Sequence, residues 1–199
     1  MPGYRIRVLL ALLSLSLLLG SQGGSAPQPE PEPGAEVCVF APPTPHDPNS
    51  GLPLLAPRAV PAEARCPVCG MFPARAPHWA AQVVFDNGDT QFFDSPLSLL
   101  IYLQDVGRYT SGRHVGEIAG SYVRATQGGG WLLARDAIYV QGSTLLGPMR
   151  AGNLPAFVDR ASAQRFAAEQ GGALLTLQQI TPQLLARLDA SRAVHRHGG

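Results

Sequence analysis

One short segment of the chain carries two thiols and a thioether. Cys66 and Cys69 are separated by two residues, and Met71 follows them in the string Cys-Pro-Val-Cys-Gly-Met. Such sulfur ligands are soft and polarizable, so they select Cu(I), Zn²⁺ or iron–sulfur centres over Mg²⁺ or Ca²⁺. A thioether carries no charge and suits Cu(I) better than Zn²⁺. The segment therefore predicts a site for a soft metal ion.

Methionine is used unusually in this chain. There are three Met residues, of which one is the initiator, and the others are Met71 and Met149 in the string Gly-Pro-Met. Neither lies in an apolar helical stripe, where methionine normally fills gaps in a core. Both are therefore candidates for a role other than core packing.

Three chemistries remain open for the cysteine pair. A structural zinc site needs four ligands, commonly including a second Cys or His pair, whereas His78 and His114 are isolated. A redox dithiol needs a helix N-terminus that activates its first cysteine, and the Gly and Pro residues after the pair predict no such helix. A transient Cu(I) site needs only two or three soft ligands. We favour copper, with a thiol–disulfide oxidoreductase that uses Cys66 and Cys69 as the alternative.

The first 61 residues are predicted to lie outside the folded part. Arg5 and Arg7 precede an apolar run over residues 8–19, and small residues follow to residue 26, as in a signal peptide. The run is shorter than the roughly 20 residues of an ordinary transmembrane helix, and an uncleaved N-terminal anchor is the alternative. Residues 27–61 are rich in proline and predict a semi-rigid linker.

The remaining sequence predicts an α+β fold of two similar small ββαβ units packed together. Residues 62–135 form the first unit, with the cysteine motif and a hairpin turn at Asn87-Gly88. Its helix begins at Pro96, is capped by Asp94 or Ser95, and is expected to reach about Gly107.

The second unit is predicted over residues 136–190 and carries the Gly-Pro-Met string. Asp159 is expected to cap its first helix, and Thr181 to cap a final helix that ends near residue 190. Residues 191–199 are expected to form a flexible tail. The formal net charge of +1 shows no basic excess, so no nucleic-acid partner is predicted.

Several strings together resemble the NosL family. They are Cys66-Pro-Val-Cys-Gly-Met-Phe-Pro, Trp79-Ala-Ala-Gln-Val-Val-Phe, Asn87-Gly88, Phe92-Phe93-Asp94, Tyr139-Val140, Gly142-Ser143 and Gly147-Pro148-Met149. The resemblance implies two small ββαβ units and a non-enzymatic, envelope-located Cu(I) chaperone. It implies delivery of copper to nitrous oxide reductase apo-protein or its assembly machinery. The implied ligands are Cys69 and Met149, with Met71 and Cys66 as helpers.

One departure from the family bears on location. Members of the family are commonly lipoproteins, with a lipidated cysteine just after the apolar signal run. Ser21 stands where that cysteine is expected, and serine cannot form the thioether link to lipid. We therefore expect a periplasmic protein, or one held at the outer face of the cell membrane by an uncleaved N-terminus.

Overall fold

The computed structural model describes residues 41–150 and 153–196. The predicted signal segment, the first part of the predicted linker and Cys38 lie outside these residues. In the described part of the chain, no helix is long and apolar enough to cross a membrane.

The described residues form two antiparallel sheets and four α-helices. The strands are β1 (Ala81–Phe85), β2 (Thr90–Phe93), β3 (Ile118–Arg124), β4 (Trp131–Leu133), β5 (Ile138–Gln141), β6 (Ala156–Phe157) and β7 (Ala173–Leu175). The helices are α1 (Pro96–Tyr102), α2 (Val106–Tyr109), α3 (Arg160–Gln170) and α4 (Pro182–Arg196). The mixed α and β fold expected from the sequence is therefore confirmed.

The two sheets share a simple topology. The first has strand order β2-β1-β3-β4 and the second has order β6-β5-β7. In the first sheet, β1 pairs with β2 on one side and with β3, which follows two helices, on the other. In the second sheet, β5 pairs with β6 on one side and with β7, which follows α3, on the other. That the two halves are similar ββαβ units stays a prediction.

Side-chain caps set the helix boundaries. Ser95 caps α1 by accepting a hydrogen bond from the Ser98 N–H, and Asp159 caps α3 as expected. The predicted first helix is divided, because Asp105 accepts a bond from the Arg108 N–H and caps α2 separately. Two adjacent helices thus replace the single helix expected to reach Gly107.

A buried arginine extends the last helix beyond its predicted end near residue 190. Arg192 is 3% exposed and donates to Ser98 Oγ on α1 at 2.9 Å. It also donates to Asp189 Oδ1 at 2.6 Å. Because this contact fixes α4 to α1, helical structure continues to Arg196.

One hydrophobic core joins residues of both halves. Phe93 and Tyr102 from the first half belong to the same buried cluster as Tyr139 and Leu185 from the second. Cys66 is also part of this cluster, and Cys69 packs against it. The cysteine loop is therefore anchored directly to the core.

Part of the predicted linker contacts the first sheet. Thr44 and Thr90 exchange two backbone hydrogen bonds of 2.8 Å. The buried Gln82 side chain accepts from the Arg58 N–H and donates to the Arg58 carbonyl. The Arg58 guanidinium donates to the carbonyl groups of Gly88 and Leu54, each at 2.7 Å. These contacts attach residues 44–58 to the β1–β2 hairpin.

Gly88→Ala is expected to destabilise the protein more than Gly128→Ala. Both glycines have left-handed φ angles, 85° and 86°, so the backbone cost of alanine is about 1–2 kcal/mol at either position. A Cβ on Gly88 would overlap Cδ1 of Leu54, whereas none of the described atoms lies within 4 Å of one on Gly128. Urea unfolding of both variants measures the difference. An equal loss of unfolding free energy in the two variants would show that residues 44–58 can move away from the new Cβ without a measurable energetic cost.

Candidate metal centre

Backbone hydrogen bonds close the loop that carries the cysteines. The Cys66 N–H donates to the Met71 carbonyl and the Gly70 N–H donates to the Cys66 carbonyl, both at 2.8 Å. Gly70 has a φ of 74°, a left-handed conformation that glycine adopts without steric cost. The next element is only a short 3₁₀ turn, Pro73–Arg75. The pair is therefore held by a closed loop and not at a helix N-terminus.

Asp94 joins the two cysteines. The Sγ atoms of Cys66 and Cys69 and a carboxylate oxygen of Asp94 all lie within 4.8 Å of one another. Cys66 and Asp94 are almost completely buried, and Cys69 is half-buried. Neither cysteine forms a disulfide in the described structure. These three groups offer one carboxylate and two thiol ligands to a metal ion approaching from the side of Cys69.

The Asp94 carboxylate has no hydrogen-bond partner. Both of its oxygens are buried, and no donor among the described residues reaches either one. Burial of a charged group without a partner is strongly unfavourable, and such groups in native proteins are usually paired or bind metals. Together with the two free thiols beside it, this carboxylate forms a group that could hold a metal ion.

The sequence pattern alone does not indicate that Asp94 lies beside the cysteine pair. It was expected as one of two alternative caps for α1, and the structure gives that cap to Ser95. The available signal was the presence of two capping residues, Asp94 and Ser95, immediately before Pro96. Only one of them was needed, which left a carboxylate without a local partner.

The environment of Cys69 raises the pKa of its thiol far above the ordinary value. The largest cause is the hydrogen bond with the Cys66 side chain, followed by burial and by electrostatic interactions with Cys66 and Asp94 that disfavour the Cys69 thiolate. The Met71 N–H, which donates to the Cys69 sulfur, acts in the opposite direction. Because the thiolate is the metal-binding form of cysteine, a protonated Cys69 is not yet a ligand. Metal binding must displace this proton.

The two candidate methionines lie in different turns. Met71 closes the cysteine loop and is half-buried. Met149 follows Pro148 in the turn after β5, where the Arg150 N–H donates to the Gly147 carbonyl at 2.8 Å. Arg150 completes this turn with a left-handed φ of 59°. That either thioether binds the metal stays a prediction.

Comparison with solved structures gives the fold independently. The chain is similar to the crystal structure of the copper chaperone NosL from Shewanella denitrificans, with a TM-score of 0.55 and 21% sequence identity. The match covers 66% of this chain and 99% of that one. A comparison with curated proteins finds no significant match.

The family can be identified from the sequence match. The model of the NosL family matches residues 57–185, a range that contains the cysteine loop, Asp94, both sheets and the Gly-Pro-Met turn. This match spans more than half of the chain and agrees with the structural similarity. The chain belongs to the NosL family.

Proposed function

We propose that the chain is an extracytoplasmic Cu(I) chaperone that delivers copper to nitrous oxide reductase or to the machinery that assembles it. The observation that carries this proposal is the closed loop, which holds two thiols within 4.8 Å of each other beside a buried, unpartnered carboxylate. Soft sulfur ligands favour Cu(I). Membership of the NosL family and similarity to a copper chaperone support the choice of metal.

The geometry of the loop also fits a carrier. Cys66 is completely buried, while Cys69 is half-buried and therefore reachable by an incoming ligand. An acceptor must displace the ligands of a carrier one at a time, which a fully enclosed site would prevent. A binding loop with one buried and one accessible sulfur can therefore hold a copper ion and still release it to an acceptor.

We assign Cys69 and Met149 as the principal ligands, with Met71 and Cys66 as helpers. The Cys69 side chain is the half-buried member of the cysteine pair, and Met149 lies on a tight turn outside the buried core clusters. The proposed location is the periplasm or the outer face of the cell membrane, which follows from the export signal expected in the sequence.

Cys69→Ser and Met149→Leu are each expected to lower the affinity for Cu(I). Loss of an outer-sphere partner typically weakens metal binding 10- to 100-fold, so loss of Cys69 should weaken it by at least about 100-fold. The reduced protein is titrated with Cu(I) in the presence of a competing chelator. Cys38→Ser is the control, because this third cysteine has no assigned role. Unchanged affinity in the Cys69→Ser, Met149→Leu double variant would show that the site is elsewhere.

A thiol–disulfide oxidoreductase is the second candidate, and the local structure weighs against it. No α-helix begins at the cysteine pair, so the first cysteine, Cys66, lacks the helix N-terminus that lowers the pKa of a catalytic thiol. Absence of turnover with a small disulfide substrate would remove this alternative.

A further inference from the structure

Two arginines contact one aromatic ring in the segment that carries the metal site. The guanidinium carbon of Arg65 lies 4.2 Å from the centre of the Phe72 ring, and that of Arg75 lies 4.5 Å from it. Arg65 immediately precedes Cys66, and Phe72 immediately follows Met71. The three side chains therefore flank the cysteine loop at both ends.

These arginines are exposed and have no acidic partner in the described part of the chain. Other arginines form ion pairs, such as Arg113 with Asp89 and Arg192 with Asp189. Arg65 makes only one long hydrogen bond, of 3.5 Å, to the Gly70 carbonyl. Two cations on one ring repel each other, and the cation–π contacts offset this by only about 0.5–1 kcal/mol each. The arrangement concentrates positive charge that the described residues leave uncompensated.

We propose that Arg65, Phe72 and Arg75 form a docking platform for an acidic surface of the protein that receives the copper. This proposal rests on the proposed function. Guanidinium groups bind carboxylates through paired hydrogen bonds, and arginine and aromatic side chains are enriched at protein interfaces. A partner bound to the platform would be placed directly beside Cys69 and Met71. The platform thus couples recognition of the acceptor to access to the metal.

The test compares rates of copper transfer from the Cu(I)-loaded full chain. The acceptors are apo-nitrous oxide reductase and, separately, bicinchoninate, a Cu(I) chelator that carries two carboxylates. The test variant is Arg65→Gln, Arg75→Gln. The control variant, Arg135→Gln, Arg187→Gln, removes the same charge from two other exposed arginines. Rates are measured at low and at high ionic strength, and the affinity for Cu(I) is measured in parallel.

The test variant is expected to transfer copper about tenfold more slowly at low ionic strength, because electrostatic steering is lost. The difference should shrink at high salt, while the control changes less than about twofold and neither variant changes Cu(I) affinity. Equal slowing of both variants would overturn the proposal. Weaker Cu(I) binding in the test variant would also overturn the proposal, because it would show that the two arginines stabilise the metal-binding loop.

The two acceptors separate this proposal from the proposed function. If wild type delivers copper to bicinchoninate but not to nitrous oxide reductase, the acceptor named above is wrong. The platform is then tested by the rate of copper transfer to bicinchoninate. If this rate is the same in the wild type and in the Arg65→Gln, Arg75→Gln variant, the proposal is overturned. If the wild-type chain binds no Cu(I), the proposed function fails and the platform fails with it.

Discussion

Asp94→Asn is expected to stabilise the metal-free protein and to weaken its binding of copper. Both Asp94 oxygens are buried without a hydrogen-bond partner, and the residue is only 1% exposed. An uncompensated buried charge is more unfavourable than a buried neutral amide of the same shape. We expect the free energy of unfolding to rise by about 1–3 kcal/mol, as measured by urea denaturation of the reduced, metal-free protein.

Asp159→Asn is the matched control, because Asp159 also precedes a helix. Its carboxylate accepts hydrogen bonds from the Ser162 N–H and hydroxyl. These bonds, with the backbone bond as the larger cause, lower the pKa of Asp159 below its ordinary value. The charged form is therefore favoured by folding above the unfolded pKa, and this contribution is lost as the pH falls through the folded pKa. Neutralising Asp159 should give no gain in stability.

The same Asp94→Asn variant should bind Cu(I) about 10- to 100-fold more weakly, since a group that orients or compensates metal ligands is lost. Stability and binding would thus change in opposite directions, which a merely structural residue would not show. Loss of stability on Asp94→Asn would indicate that the carboxylate is already satisfied. Asp94 would then have no place in the metal centre.

Local features of the fold could be predicted from the sequence because their signals lie within a few residues. The Asn87-Gly88 string forms the β1–β2 turn, in which the Gly88 N–H donates to the Phe85 carbonyl. Asp159 caps α3 through the residue three positions later, and Thr181 caps α4 in the same way. Each of these contacts depends on neighbours in the chain and on intrinsic side-chain chemistry.

Features that depend on distant parts of the chain could not be predicted. The cysteine pair was recognised from its spacing, but Asp94 reaches it only because β2 and the loop pack on one core. The length of α4 depends on Arg192 meeting Ser98, and the docking of residues 44–58 depends on Gln82 meeting Arg58. No periodicity or local propensity encodes such pairs, since they arise when the elements assemble.

Oxidation of the cysteine pair is expected to abolish Cu(I) binding. The sulfur atoms of Cys66 and Cys69 lie within 4.8 Å of each other, so diamide can take two electrons and two protons from the pair and leave a disulfide. An oxidising compartment outside the cytoplasm would favour the same product. The disulfide offers no thiolate, so only thioethers and the hard Asp94 carboxylate would remain, and a carboxylate suits Cu(I) poorly.

This prediction is measured on the Cys38→Ser variant, so that the third cysteine cannot exchange with the pair. Cu(I) binding in the presence of a competing chelator should fall below detection after diamide treatment and return after reduction. Because the closed loop is maintained by the Cys66–Met71 and Gly70–Cys66 backbone bonds, the fold itself should survive in either state. Retention of copper by the oxidised protein would remove Cys69 from the ligand set. Complete and reversible loss would instead make the redox state of this pair a condition for carrying copper.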